Sequence, residues 1–184
     1  FEAGSALIGG LSLAAGVAVL RALRAYGIDG AALKWPNDAI WGGRKLAGLL
    51  IDVRGEAGGP SFVVVGLGLN VHLAARDAQA IDQPWAALRE VLPAPVDRNR
   101  LAVLLLAELA AMLALFERDG FAPWRAEWEQ RHLFQNRTVR LQVGSEQVTG
   151  TALGIDTQGG LRLRDARGVE RAFHSGEISL RAVS

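Results

Sequence analysis

Apolar and polar positions along the chain change their rhythm twice. From residue 8 to residue 26 the apolar positions Leu13, Val17, Val19, Leu20 and Leu23 recur around small Ala14, Ala15 and Gly16, the signature of a helix packed closely on a sheet. Ser5 or Ser12 is its expected start, Gly27 its expected stop, and Arg21 and Arg24 suit its C-terminal end. Period-two texture follows, with strands expected over 31–34, 46–53 and 61–71 and a hairpin loop over 55–60. Helical texture then returns, first as a short helix over 85–91 that Pro93 and Pro95 end. A long helix over 98–117, with Asp97 as N-cap, presents Leu101, Leu104, Leu105, Leu109, Leu113 and Phe116 to a core. A second amphipathic helix over 121–132 buries Trp124 and Trp128, four residues apart on one face. From Asn136 onward five short strands are expected, over 138–143, 147–155, 160–164, 168–174 and 178–182, which suggests a small barrel.

Between the first helix and the long strands lies the stretch with chemistry in it, Lys34-Trp35-Pro36-Asn37-Asp38 and then Gly42-Gly43-Arg44-Lys45. Pro36 stiffens the backbone that carries Asn37 and Asp38. Gly42-Gly43 is a two-residue hairpin signal, so Lys34 and Lys45 are expected on neighbouring strands. Two ammonium groups at one place favour an anion between them, and a carboxylate or phosphate ligand is the natural occupant. Further on, Gly66 and Gly68 share one face of a strand, where missing side chains let a flat ligand approach, and Asn70 offers an amide to the edge of a nucleobase. The spacing is GxGxN with the strand continuing, not the GxGxxG of a dinucleotide fold.

Composition narrows the classes. The 184 residues suffice to bury about 70% of the unfolded surface, in one or two domains. No cysteine is present, which excludes disulfides, thiolate metal sites and a thiol nucleophile and suits a reducing, cytoplasmic setting. Twenty basic against 19 acidic residues give a net charge of +1, so no global field drives binding to nucleic acid, and the arginines of the last strands are interleaved with acids. His72, His132 and His174 are too scattered to suggest a metal site, which leaves Mg²⁺ arriving with a nucleotide. The uncharged run 3–20 approaches the length of a membrane span, but its glycines and serines and the preceding Glu2 favour a buried helix, and no membrane association is expected.

KWPND at 34–38, RKLAGLLID at 44–52, GLGLNV at 66–71 and GEISLR at 176–181 together resemble the biotin protein ligase family, across nearly the whole chain. The resemblance implies an α+β fold: a helix-flanked mixed or antiparallel sheet of class II synthetase type over 1–134, then an SH3-like β-barrel over 135–184. It implies ATP-dependent formation of biotinyl-5'-AMP and transfer of biotin to a lysine of a biotin carboxyl carrier protein, with ATP, Mg²⁺ and biotin bound. In that scheme Lys45, with Gly48, holds the biotin carboxylate and Lys34 a phosphate. Asp38 is a base, a positioning group for the incoming lysine or a metal-side ligand, and Asn37 helps to place metal or phosphate. Gly66, Gly68 and Asn70 serve adenine under a loop over 72–83, with Glu177 and Arg181 contributing from the C-terminal part.

The family's Gly- and Arg-rich loop is not among these residues, so this stretch alone is expected to be poorly active. DNA binding is expected only if a helix-turn-helix precedes it, and an exposed sheet edge would allow a homodimer. Three alternatives compete. A lipoate-type ligase would form a different acyl-adenylate, a biotin- or nucleotide-sensing module would bind without turnover, and an RNA-binding barrel would show steep salt dependence.

Overall fold

The computed structural model describes residues 1, 8–55, 60–73, 83–174 and, for the backbone alone, 178–182. Helix α1 (Leu11–Tyr26) is buried along almost its whole length, from Leu11 to Leu23. It begins at Leu11, one residue before Ser12, with Gly10 in the left-handed region at its N-cap and no serine cap; Ser5 lies outside the described residues. Its end is as expected: Gly27 takes φ 107°, its N–H reaches the Arg24 carbonyl, and the Ile28 N–H returns to the Leu23 carbonyl at 2.9 Å.

Under α1 runs a four-stranded sheet in chain order, β1 (Ala32–Lys34), β2 (Asp38–Trp41), β3 (Arg44–Gly55) and β4 (Ser61–Leu69), every neighbouring pair antiparallel. Gly42 and Gly43, both at positive φ, make the expected tight turn between β2 and β3. The face of β3 carrying Leu49, Ile51 and Val53 turns towards the core. Its other face leaves Leu50 exposed, beside exposed Val64 and Phe62 of β4.

Three helices follow. The short α2 is Leu88–Val91, because the preceding Pro84–Ala86 is extended and pairs beside Lys45. Asp97 caps α3 (Arg98–Asp119), its Oδ1 accepting from the Asn99 and Arg100 N–H groups at 3.0 Å each. Helix α3 packs along α1 through buried Leu101, Met112 and Phe116, with Leu105, Leu109 and Leu113 half-buried. It is long and apolar enough to cross a membrane by length and composition. In α4 (Ala122–Arg131), Trp124 and Trp128 are core residues, as their spacing predicts.

The second sheet, β5 (Thr138–Val143), β6 (Glu146–Ile155), β7 (Leu161–Arg164), β8 (Glu170–Phe173) and β9 (Ile178–Ala182), contains the five strands the alternation predicts. The barrel does not form. The order is β8-β7-β6-β5-β9, all antiparallel, with β8 and β9 at opposite edges and no ladder joining them among the described residues. Closure of a sheet requires its end strands to pair, so the SH3-like barrel is replaced by an open five-stranded sheet. The chain is thus α+β with two antiparallel sheets.

One apolar cluster runs from α1 through Trp124, Trp128 and Phe134 into Val139, Leu141, Ile155 and Leu163 of the second sheet. At the joint, the Glu129 carboxylate of α4 accepts the Ile155 N–H at 3.1 Å. Gly154, at φ 113°, leaves the space that this carboxylate fills, since a methyl group there would collide with it.

Candidate functional site

The registers of β1 to β4 place four residues in one row across the sheet. Lys34 of β1 opposes Asp38 of β2, Asp38 opposes Gly48 of β3, and Gly48 opposes Gly68 of β4. Directly opposed residues share a face, so the row reads cation, anion, glycine, glycine. The Asp38 carboxylate bridges two ammonium groups, with Oδ1 at 2.6 Å from Lys45 Nζ and Oδ2 at 3.5 Å from Lys34 Nζ. Asp38 is nearly enclosed, at 9% exposure, whereas the Lys45 side chain is 29% exposed and so faces the open side. The expected anion between the lysines is therefore already supplied by the chain. Of the two ammonium groups, that of Lys45 stands on the open side, where an incoming anion would meet it.

Lys45 reaches this face because of a β-bulge. Between the pairs Ala39–Ala47 and Ile40–Lys45, β3 advances two residues while β2 advances one. The extra residue is Leu46, which is buried alongside Ala47, and the slip turns Lys45 onto the face of Asp38 and Gly48. Regular alternation from Gly48 would have aimed it at the core. The freed backbone of Lys45 pairs outward: its N–H donates to the Pro84 carbonyl and its carbonyl accepts the Ala86 N–H, each at 2.9 Å. Arg44 holds the same segment through Glu90 at 2.7 Å. Gly48 makes room for the ammonium, since a Cβ there would lie 3.1 Å from Lys45 Cε and 3.2 Å from Nζ. The sequence signal for the bulge is faint, namely consecutive apolar Leu46 and Ala47 where alternation calls for one polar residue.

Asn37 is brought close but faces another way. Its Nδ2 donates to the Leu49 carbonyl at 2.6 Å and its own carbonyl accepts the Leu49 N–H at 2.9 Å, fastening the turn to β3. Beside it opens a cavity of about 560 Å³ between the start of α1, the Trp35–Asn37 turn, β3 and the 158–159 turn of the second sheet. Asn37 and Leu49 belong to its wall, while Lys34, Asp38 and Lys45 do not. The charged cluster and the cavity thus adjoin at the Asn37 turn.

Gly66 and Gly68 lie on β4 opposite Leu50 and Gly48, on the exposed face. Among the described residues nothing demands glycine at Gly68, where a Cβ would meet only the Gly48 carbonyl, at 3.8 Å. At Gly66 the nearest atom, the Leu50 carbonyl, is 3.4 Å away. Asn70 donates Nδ2 to the Lys45 carbonyl at 3.2 Å, so it braces the bulge and presents Oδ1 as acceptor. Arg181 lies on β9 opposite Arg140 of β5, in the other sheet, and the structure does not bring its backbone into the row. Glu177 and most of the loop expected over 72–83 lie outside the described residues. No group of three His, Asp or Glu among the described residues is placed to hold a metal.

Two family models match the chain, the Biotin/lipoate A/B protein ligase family over residues 3–70 and the Biotin protein ligase C terminal domain over residues 134–181. The chain is 40% identical over 181 residues to the bifunctional ligase/repressor BirA of Escherichia coli, an alignment covering 98% of this chain and 56% of that protein. It is 38% identical over 174 residues to the biotin–[acetyl-CoA-carboxylase] ligase of Mycobacterium tuberculosis, covering 92% of this chain and 62% of that one. Among solved structures, biotin protein ligase from Aquifex aeolicus in complex with biotin and ATP matches with a TM-score of 0.81 at 25% identity, covering 100% of this chain and 74% of that one. This chain belongs to the biotin protein ligase family. It spans little more than half the length of the BirA relative, 56%.

Proposed function

We propose that the chain carries the lysine cluster and nucleotide floor of a biotin protein ligase, which joins biotin and ATP into biotinyl-5'-AMP and passes biotin to a carrier-protein lysine. The row Lys34–Asp38–Gly48–Gly68, with Lys45 turned onto it by the bulge, carries this reading. It combines a partly exposed ammonium, that of Lys45, with a floor stripped of side chains, which suits a carboxylate and a phosphate meeting beside a flat base. In the first step an oxygen of the biotin carboxylate attacks the α-phosphorus, and pyrophosphate leaves with the electrons of the broken P–O bond. Lys45 holds the carboxylate and then the acyl phosphate, while Lys34 faces phosphate, so the charge that develops meets ammonium groups already in place. In the second step the carrier amine attacks the acyl carbon and AMP departs.

Asp38 acts by position. Both of its oxygens face ammonium groups, which fits a post that aims the two lysines and fits neither a free base nor a metal ligand. Mg²⁺ fits this chain only as a companion of the triphosphate. Asn70 Oδ1 would accept from the adenine amino group above Gly66 and Gly68, Asn37 would serve by fastening the turn to β3 rather than by touching phosphate, and Arg181 would contribute from the C-terminal sheet. The division 1–134 and 135–184 assigns chemistry to the first part and support to the second. Cytoplasmic location, a biotin carboxyl carrier protein as acceptor and pairing of two copies along a sheet edge complete the proposal.

The test is adenylate formation by the full-length protein with α-labelled ATP, Mg²⁺ and either biotin or lipoate. Labelled adenylate with biotin alone is expected; tight biotin binding without adenylate would instead establish a sensor. The floor has its own test. Gly68→Val adds a β-branched residue to open strand surface, so the thermal midpoint should hold or rise slightly. The KM for ATP should rise tenfold or more, and an unchanged KM would remove the base from this floor.

A further inference from the structure

The turn that aims Asp38 is gripped by the second sheet. Trp35, 1% exposed, donates its indole Nε1–H to the Gly159 carbonyl at 3.0 Å, across 124 residues of chain. The acceptor is held rigidly. Asp156 Oδ1 accepts the N–H groups of Gln158 and Gly160 at 2.8 Å each, and the Asp156 N–H donates to the Gly160 carbonyl at 2.8 Å, closing a compact turn. That turn is pressed on the start of α1 with no room for a methyl group: a Cβ on Gly159 would come within 2.6 Å of Gly10 Cα, and one on Gly9 within 2.9 Å of the Gln158 carbonyl. Gly159, at φ 81°, needs the left-handed region as well as the space.

From the other directions the same three residues are fastened to the first sheet and to α1. Asn37 is bound to Leu49 through its side chain and its carbonyl, and the Pro36 carbonyl accepts from Ser12 Oγ at 3.4 Å. Trp35 follows Lys34 directly and stands three residues before Asp38, so the indole bond is where the second sheet touches the segment joining the two charged residues. We propose that Trp35 is a positioning residue: its bond to Gly159 sets the Lys34–Asp38 spacing, and through it the second sheet tunes the rate of the chemical step. This inference rests on the ligase reading of the same cluster.

The coupling is measurable from both ends. Trp35→Phe keeps the ring and removes the donor, while Asp156→Ala loosens the acceptor turn without touching Trp35. In full-length protein each is expected to lower kcat for adenylate formation about tenfold, leaving the KM values for biotin and ATP within twofold. The double variant should be no slower than either single one, because both cut the same link. Losses that multiply to about a hundredfold would overturn the coupling. So would a lowered thermal midpoint with kcat per folded molecule unchanged, the mark of a merely structural bond. If wild-type protein forms no adenylate with biotin or lipoate, the ligase reading fails and this inference falls with it.

Discussion

Lys45→Ala is expected to lower biotin-dependent adenylate formation by about 10²- to 10³-fold, the loss typical when one preorganised stabiliser of developing charge is removed. The cluster explains the size of the effect. With Lys45 gone, the ammonium that stands on the open side of Asp38 is no longer there to meet a carboxylate. The fold should survive. Asp38 keeps Lys34 as partner, so the nearly enclosed carboxylate is not left without a counter-ion. Lys45→Arg should not rescue the activity, because the ammonium sits in the space left by Gly48, 3.2 Å from where a Cβ would be, and a planar guanidinium needs more room. The measurement is labelled adenylate per folded molecule, with the thermal midpoint recorded alongside. A Lys45→Ala rate within threefold of wild type would take Lys45 out of the reaction.

How far such a site can be read without coordinates depends on which forces are local. The Gly42-Gly43 turn, the Asp97 cap, the Gly27 stop and the ends of β5 and β9 follow from backbone preferences within a few residues, and the sequence announces each of them. Lys34 and Lys45, expected on neighbouring strands, instead stand on β1 and β3 with β2 between them, and it is Asp38 of β2 that faces Lys34. The bulge at Leu46 does not follow from local preferences. It depends on which of two registers lets Lys45 bond to Pro84 and Ala86, residues about 40 positions away. Without it Lys45 faces the core, so the residue chosen from the sequence reaches the site by a mechanism the sequence hides. Asn70 shows the same limit, since a surface amide suggests a ligand contact, yet half of this one is spent holding the Lys45 carbonyl. Barrel closure failed for a related reason. Short alternating strands specify a twisted antiparallel sheet, but whether its ends meet depends on tilt and stagger across all the strands, which no single segment encodes. The Trp35–Gly159 bond is the most distant of these effects, and a tryptophan next to proline gives no hint of a partner in another sheet.

Acid should unfold this protein earlier than its carboxylates alone would require, because of His132. The ring is 5% exposed, stacks on Trp128 at 4.5 Å between centroids and meets Phe134 edge-on at 6.3 Å. Neither Nδ1 nor Nε2 has a hydrogen-bond partner. Burial pushes its pKa down from 6.5 to about 4, with the nearby Gln135 side chain pulling weakly the other way without a well-formed hydrogen bond. A histidine with a depressed pKa in the folded state is neutral there while the unfolded chain already binds the proton. Stability is therefore fully present above pH 6.5 and is lost as the pH falls from 6.5 towards 4, by roughly 3 kcal/mol in all. That is a sizeable share of the 5–15 kcal/mol typical of folded domains, about 5 at the low end. The lost contacts would lie at the joint of the two sheets, where Leu133, next to His132, donates its N–H to the Leu33 carbonyl at 2.8 Å. His132→Phe keeps the aromatic stack and has nothing to protonate. Urea unfolding at steps between pH 7 and pH 4 should show the wild type losing stability across that window, while the variant stays level until carboxylates titrate. At pH 7 the variant should be at least as stable as the wild type, since two unpaired buried nitrogens are removed. Parallel curves for the two proteins would mean that the acid sensitivity resides elsewhere and that His132 is solvated in solution.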